Sequence, residues 1–181
     1  MTELTSNISI RSVNLFDLLT EMRSKGTIRI PHFQRDYVWE RTRVADLFDS
    51  IFRQFPIGSF FFWITPRQYR NLYKDIPSLE FPIPSDYDQI KMILDGQQRL
   101  TSIFVAANGL KLTEGKSEKD YSKICFNLDT ETFLVVRRKE DRQKIISVWR
   151  FFDKAGEEEI YDNLTQGNKR YIRNLKMIKN K

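Results

Sequence analysis

The chain has 181 residues, with 30 Lys+Arg against 24 Asp+Glu, one His and one Cys; that is enough length for one domain with a real core, and too few ligands for a structural zinc site. Apolar residues make up 40% and include 14 Phe, which excludes a disordered chain. No apolar run exceeds Phe60 to Ile64, the start MTELTSNISI lacks a signal pattern, and one Cys cannot close an intramolecular disulfide, so a cytoplasmic protein with no membrane partner is expected.

In chain order, Ile8 and Ile10 alternate with polar residues and predict a short strand. Asn14 then caps a helix burying Leu15, Leu18, Leu19 and Met22, with Gly26 as its stop. Thr27 to Pro31 alternates like a strand. Thr42 to Gln54 reads as an amphipathic helix burying Val44, Leu47, Phe48 and Ile51, and Ser59 to Thr65 as a buried strand. Residues 66–88 hold four of the six prolines and read as a long irregular loop.

Gln89 to Leu94 predicts a strand, Asp95-Gly96 a turn, and Gln97 to Ala107 a helix with Leu100, Ile103, Phe104 and Ala107 inward. The polar stretch Thr113 to Asp120 breaks the pattern. Lys123 to Leu128 and Thr132 to Arg137 predict a hairpin, followed by an apolar stretch, Ile145 to Phe152, and helices at Glu157 to Leu164 and Gly167 to Lys179. From Tyr161 onward there are six basic residues and one acidic, whereas residues 1–160 carry 24 basic and 23 acidic. The net charge of +6 is therefore mostly a property of the tail, either a nucleic-acid footprint or an exposed basic helix. The absence of a stop signal at the end predicts a fragment of a longer protein.

Two segments could carry chemistry. In Leu94 to Thr101 (L-D-G-Q-Q-R-L-T) a buried strand turns at Gly96 straight into a helix, presenting backbone N–H groups at a helix start, where anions bind. Arg99 in the first turn opposes the helix dipole by about 0.3–1 kcal/mol, which becomes sensible if both address a phosphate. Asp95 could hold a divalent cation or position a water. A plain capped helix, with Asp95 as N-cap and Arg99 solvated, stands beside that reading. In Ile30 to Trp39 the chain leaves a strand with Gln34 and Arg35 among Phe33, Tyr37 and Trp39, a composition suited to bases and phosphates. The alternative is an aromatic corner of the core with Arg35 reaching out to water.

Taken together, the string I-P-x-F-Q-R-x-Y-V-W, the P-I-G-S of Pro56 to Ser59 before an apolar strand, and D-G-Q-Q-R-L-T occur in that order. The chain resembles the N-terminal domain of GmrSD-type, modification-dependent restriction enzymes of the ParB/sulfiredoxin-like superfamily, well over residues 8–110 and loosely beyond. The resemblance implies an α+β fold, a small mixed sheet flanked by helices, over residues 8–140, with a helical extension from 141 to 181. It implies nucleoside-triphosphate binding with Mg2+ and, in several members, hydrolysis, in the service of prokaryotic anti-phage DNA restriction. Carried over, Asp95, Gln98, Arg99 and Arg35 would be catalytic. Gln34, Arg35, Gly96, Gln97, Gln98, Arg99 and Thr101 would bind the nucleotide, and Asp95 would be the metal ligand.

The implied partners are DNA and a C-terminal nuclease domain or subunit, with room for a homo-oligomer. The lone His32 cannot build a His-Asn-His nuclease, and it reads as structural sooner than catalytic. Another reading keeps the same pocket for a DNA phosphate or a flipped modified base, without triphosphate hydrolysis; a third makes the turn purely structural. Gly109 to Ser117 fails as a phosphate loop on spacing and context. Glu114 to Lys116 reads as turn-forming, too loose for nuclease ligands. The D-G-Q-Q-R turn lacks the cysteine that sulfiredoxin chemistry needs, and Cys125 reads as inert packing.

Overall fold

In the computed structural model, which describes residues 8–74, 76, 79, 81–82, 88–114, 117–136 and 145–153, helix α1 (Leu15–Thr20) opens at Asn14. The Asn14 side chain accepts from the Phe16 N–H at 2.7 Å. The helix continues into a π-helical turn, Glu21–Lys25, which ends at Gly26 with φ +61°. Leu18, Leu19 and Met22 are buried as their spacing predicts. The strand expected around Ile8 and Ile10 does not form, and both side chains are exposed. Alternation makes a strand only where a sheet edge receives it. The helices expected at 157–164 and 167–179, the basic tail and most of the 141–181 extension lie outside the described residues.

Four strands form the central sheet: β1 (Ile28–Pro31), β2 (Phe61–Pro66), β3 (Tyr73–Lys74) and β4 (Gln89–Asp95), in the order β2-β4-β1-β3. β1 and β4 run parallel, with Ile28 opposite Lys91, and the two outer pairs are antiparallel. All of β1 is buried, because it is flanked on both sides. Even Arg29 is only 2% exposed; its guanidinium lies over the rings of Tyr73 and Phe81 and donates to the Pro82 carbonyl. β2 corrects the expectation of a buried strand. It is the sheet's edge, and Phe61, Trp63 and Ile64 remain 41–53% exposed. The span expected to be an irregular loop, 66–88, begins with a 3-10 turn, Arg67–Leu72, and β3, which pairs Lys74 with Ile30.

Helices α2 (Arg41–Phe52) and α3 (Gln97–Ala107) pack on each other and share one apolar core with residues of this sheet. Apart from Arg99, every residue of α3 is buried, its polar Thr101 and Ser102 included; the helix lies inside the domain and not on its surface. A hairpin of β5 (Lys111–Glu114) and β6 (Ser117–Asp120) occupies the stretch expected to break the pattern. The second hairpin, β7 (Ile124–Asn127) and β8 (Thr132–Val135), is where the sequence puts it, and β9 (Ile145–Ser147) adds to β7. Phe52, Phe126 and Phe133 join this sheet to α2, with ring centroids 4.9–6.1 Å apart. Cys125 is buried within β7 and is in no disulfide. The fold is α+β, and no described helix is long and apolar enough to cross a membrane.

Glu21 ties three of these pieces together. Its carboxylate accepts from Thr27 Oγ1 at 2.6 Å and from Lys91 Nζ at 2.7 Å. Burial pushes its pKa upward, but the hydrogen bonds from Lys91 and Thr27 and the lysine charge outweigh burial and leave it below the ordinary value. A carboxylate with a depressed folded pKa stabilises the protein above its unfolded pKa and ceases to do so as pH falls through the folded one. The stability gap between wild type and Glu21→Gln is therefore expected to be widest at neutral pH. It should close through the acidic carboxylate range, as read by urea denaturation at a series of pH values. A gap independent of pH would contradict this role.

Candidate functional site

The first turn of α3 is shaped by Gly96, at φ +84°, where an added Cβ would lie 2.6 Å from a Phe60 ring carbon. Only glycine makes so tight a passage from β4 into a helix without strain. Gly96 is also the N-cap, so no side chain caps the helix, and the N–H groups of the first turn lack the usual side-chain acceptor. Asp95 is not the cap that the plain-helix reading expects. Its carboxylate, 77% exposed, takes Arg99 Nη2 at 3.1 Å through Oδ2.

Beside this turn lies the segment that follows β1. A set of hydrogen bonds holds residues 32–38, which have no regular secondary structure. The His32 N–H donates to Leu72 O at 2.9 Å and the Gln34 N–H to Pro31 O at 3.1 Å. Gln34 Nε2 donates to Leu94 O at 2.7 Å, next to Asp95. Gln98 bridges back, with Nε2 donating to Asp36 O at 2.9 Å and Oε1 accepting from the Val38 N–H at 3.1 Å. Tyr37 OH meets Ser102 Oγ at 2.8 Å, and Lys74 Nζ donates to Gln34 O at 2.8 Å. The two turns singled out in the sequence thus meet through Gln34 and Gln98.

Gln97, only 3% exposed, sits inside this junction. Gln98 Nε2 donates to Gln97 Oε1 at 2.8 Å, which fixes the amide so that Gln97 Nε2 is a buried donor with no hydrogen-bond partner. Thr101, one turn further along the helix, is 1% exposed. With both its nitrogen and its oxygen engaged, the Gln98 amide works as a staple.

The two arginines diverge. Arg99, its side chain 20% exposed, donates to Ile57 O and, at 3.0 Å, to Ser59 O, and lies over the Phe60 ring. Gly58, at φ +81°, admits it, since an added Cβ would overlap the guanidinium. The P-I-G-S stretch is therefore the seat of Arg99. Arg35 is exposed and makes no hydrogen bond or ion pair among the described residues. It is not packed among aromatics as the composition suggests: Tyr37 is buried against Tyr121, Arg43 covers the Trp39 ring at 4.2 Å, and Phe33 faces solvent.

Lys74 escaped the sequence reading. It comes from a two-residue strand inside a stretch that looks irregular, so no periodicity marks it. Besides Gln34 O it holds Asp36 at 2.9 Å, and this hydrogen bond and the lysine charge keep the exposed Asp36 carboxyl below its ordinary pKa. Among the described residues no three His, Cys, Asp or Glu side chains gather as a metal site. Asp95 could contribute one ligand through Oδ1, and His32 is exposed.

These features describe an α+β domain in which a strand-to-helix glycine turn meets a pinned glutamine–arginine loop. The family model of the GmrSD restriction endonuclease N-terminal domain matches residues 15–181, and the chain belongs to that family. It is also similar to an uncharacterized protein of Methanocaldococcus jannaschii, 35% identical over 97 residues. That match covers 51% of this chain but only 16% of the relative's length.

Proposed function

We propose that this domain binds a nucleoside triphosphate at the start of α3, hydrolyses it, and thereby regulates or powers DNA restriction in anti-phage defence. The observation that carries the reading is the convergence of both turns on a helix start without a side-chain cap, where the buried Gln97 Nε2 still lacks an acceptor. Phosphate oxygens would satisfy these N–H groups, and a helix start favours negative charge. Arg35 brings a cation with no competing partner among the described residues. Arg99 adds charge beside the turn while holding the 57–59 loop and Asp95 in position.

Within this reading Gln34 and Gln98 position the loop, and Thr101 supports the first turn from beneath. Mg2+, where bound, would neutralise phosphate charge; Asp95 would hold it, with the remaining ligands coming from the phosphates and water. The reading assigns DNA cleavage to a nuclease domain or subunit joined to this one, since the chain's single histidine cannot supply a His-Asn-His centre.

A thermal-unfolding screen of the four ribonucleoside triphosphates with Mg2+ tests the reading. A ligand bound only to the native state at a hundredfold excess over its Kd adds about 2.7 kcal/mol. The melting temperature of the wild type is expected to rise, and that of Arg35→Ala, which removes an exposed side chain, to stay at its own baseline on adding nucleotide. A wild-type melting temperature that no triphosphate moves would refute the proposal.

A further inference from the structure

The geometry points to Phe33 as the platform on which the nucleobase stacks, an inference that rests on the triphosphate reading above. Phe33 is 69% exposed, although the irregular segment it belongs to is tied down on both sides of it. Its neighbour His32 is tied to Leu72, and its neighbour Gln34 to Pro31, Leu94 and Lys74. A large aromatic on a loose loop would mean little, since isolated exposed apolar side chains are ordinary. Here the backbone on either side is fixed while the ring is held out in water. That arrangement lowers the ordering cost of binding a flat partner.

Position selects the partner. The Cα atoms of Phe33 and Gln34 are about 3.8 Å apart, and the Gln34 side chain ends on Leu94 O, next to the Asp95–Gly96 turn. One residue of loop and one glutamine side chain thus separate the ring from the phosphate seat. A ribose linking phosphates to a base spans a comparable gap. Exposed Arg35 follows two residues on, in the same segment. Val38 is exposed on the same segment but has no π face.

Stacking on a lone ring tolerates any base. The platform therefore predicts a nucleotide site that holds all four bases with similar strength, the polyphosphate supplying most of the recognition. Stacking contributes about 1–3 kcal/mol per base, which corresponds to roughly fivefold to more than a hundredfold in affinity.

The test compares inorganic tripolyphosphate with the four ribonucleoside triphosphates, each with Mg2+, by calorimetry on wild type, Phe33→Ala and Phe33→Trp. The wild type is expected to bind every nucleotide more tightly than tripolyphosphate. Phe33→Ala should weaken nucleotides about tenfold while leaving tripolyphosphate unchanged, and Phe33→Trp should retain the advantage. Because the side chain is exposed, both variants should melt with the wild type. If tripolyphosphate binds but nucleotides gain nothing over it, or if Phe33→Ala leaves that gain intact, the platform is wrong and the phosphate seat stands. If neither class of ligand binds the wild type, both the seat and the platform fall.

Discussion

Replacing Gln98 by leucine is expected to cost about 3 kcal/mol of stability and to release residues 34–38 from α3. Leucine keeps much of the volume, so the loss is one of hydrogen bonds and not of packing. The Val38 N–H, the Asp36 carbonyl and the Gln97 amide oxygen each lose their partner. A group left unsatisfied in a buried place costs about 1–3 kcal/mol. Water can reach part of this loop, since Asp36 and Val38 are exposed residues, which holds the total at the low end of what three such groups could cost.

Urea denaturation with an unchanged m-value, together with amide exchange at Val38, would measure the effect. Exchange at Val38 should accelerate more than exchange within α2. A variant within about 0.5 kcal/mol of wild type, the range of an ordinary surface substitution, would show that Gln98 is not what joins the two turns.

The second large effect is expected where Arg99 sits over Gly58. Arg99→Met should destabilise by about 2 kcal/mol, since a charged donor lost from carbonyl acceptors costs roughly 1.5–3 kcal/mol. The pair with Asp95 adds little of this, because Asp95 is 77% exposed. Gly58→Ala should cost more than the roughly 1–2 kcal/mol of a left-handed conformation, because its methyl would enter the space of the guanidinium. In the Arg99→Met background that overlap is relieved and only the backbone strain remains. The double variant should therefore lose about 1 kcal/mol less than the sum of the two single losses. Strict additivity across the four proteins would contradict the packing of Arg99 on Gly58. Arg99→Lys should resemble Arg99→Met, because an ammonium cannot reach two carbonyls and a carboxylate as a fork can.

Local chemistry was readable without coordinates. Asn14 and Gly26 bracket the first helical segment as a cap and a left-handed stop should. Gly96 separates β4 from α3 where a strand must become a helix, and α3 runs from Gln97 to Ala107 as its period indicates. The hairpin from Ile124 to Val135 follows from two short apolar runs around a polar turn. Each signal lies within a few residues of what it controls. The order of the three motifs likewise suffices to assign the family, since it is a property of the string.

What depends on neighbours distant in the chain was decided by tertiary structure. The apolar run Phe60 to Ile64 indicates a strand, but its place at the sheet's edge is set by which strands pair, β2 having β4 as its one neighbour among the described residues. Arg29 is buried because β1 happens to have neighbours on both sides, with rings at Tyr73 and Phe81 to receive its charge. The β5–β6 hairpin carries polar side chains, so no hydrophobic period betrays it.

In the site, sequence determined which amides and cations are present and that a glycine turn precedes α3. Tertiary structure alone decided that Gln98 is a staple, that Arg99 closes on the 57–59 loop while Arg35 stays in water, and that Lys74 joins them. Those assignments rest on hydrogen bonds between residues 38 to 62 positions apart in the chain. Propensity and periodicity act over single turns of backbone and so carry no information about such pairings, which form only when packing of the apolar core brings the segments together.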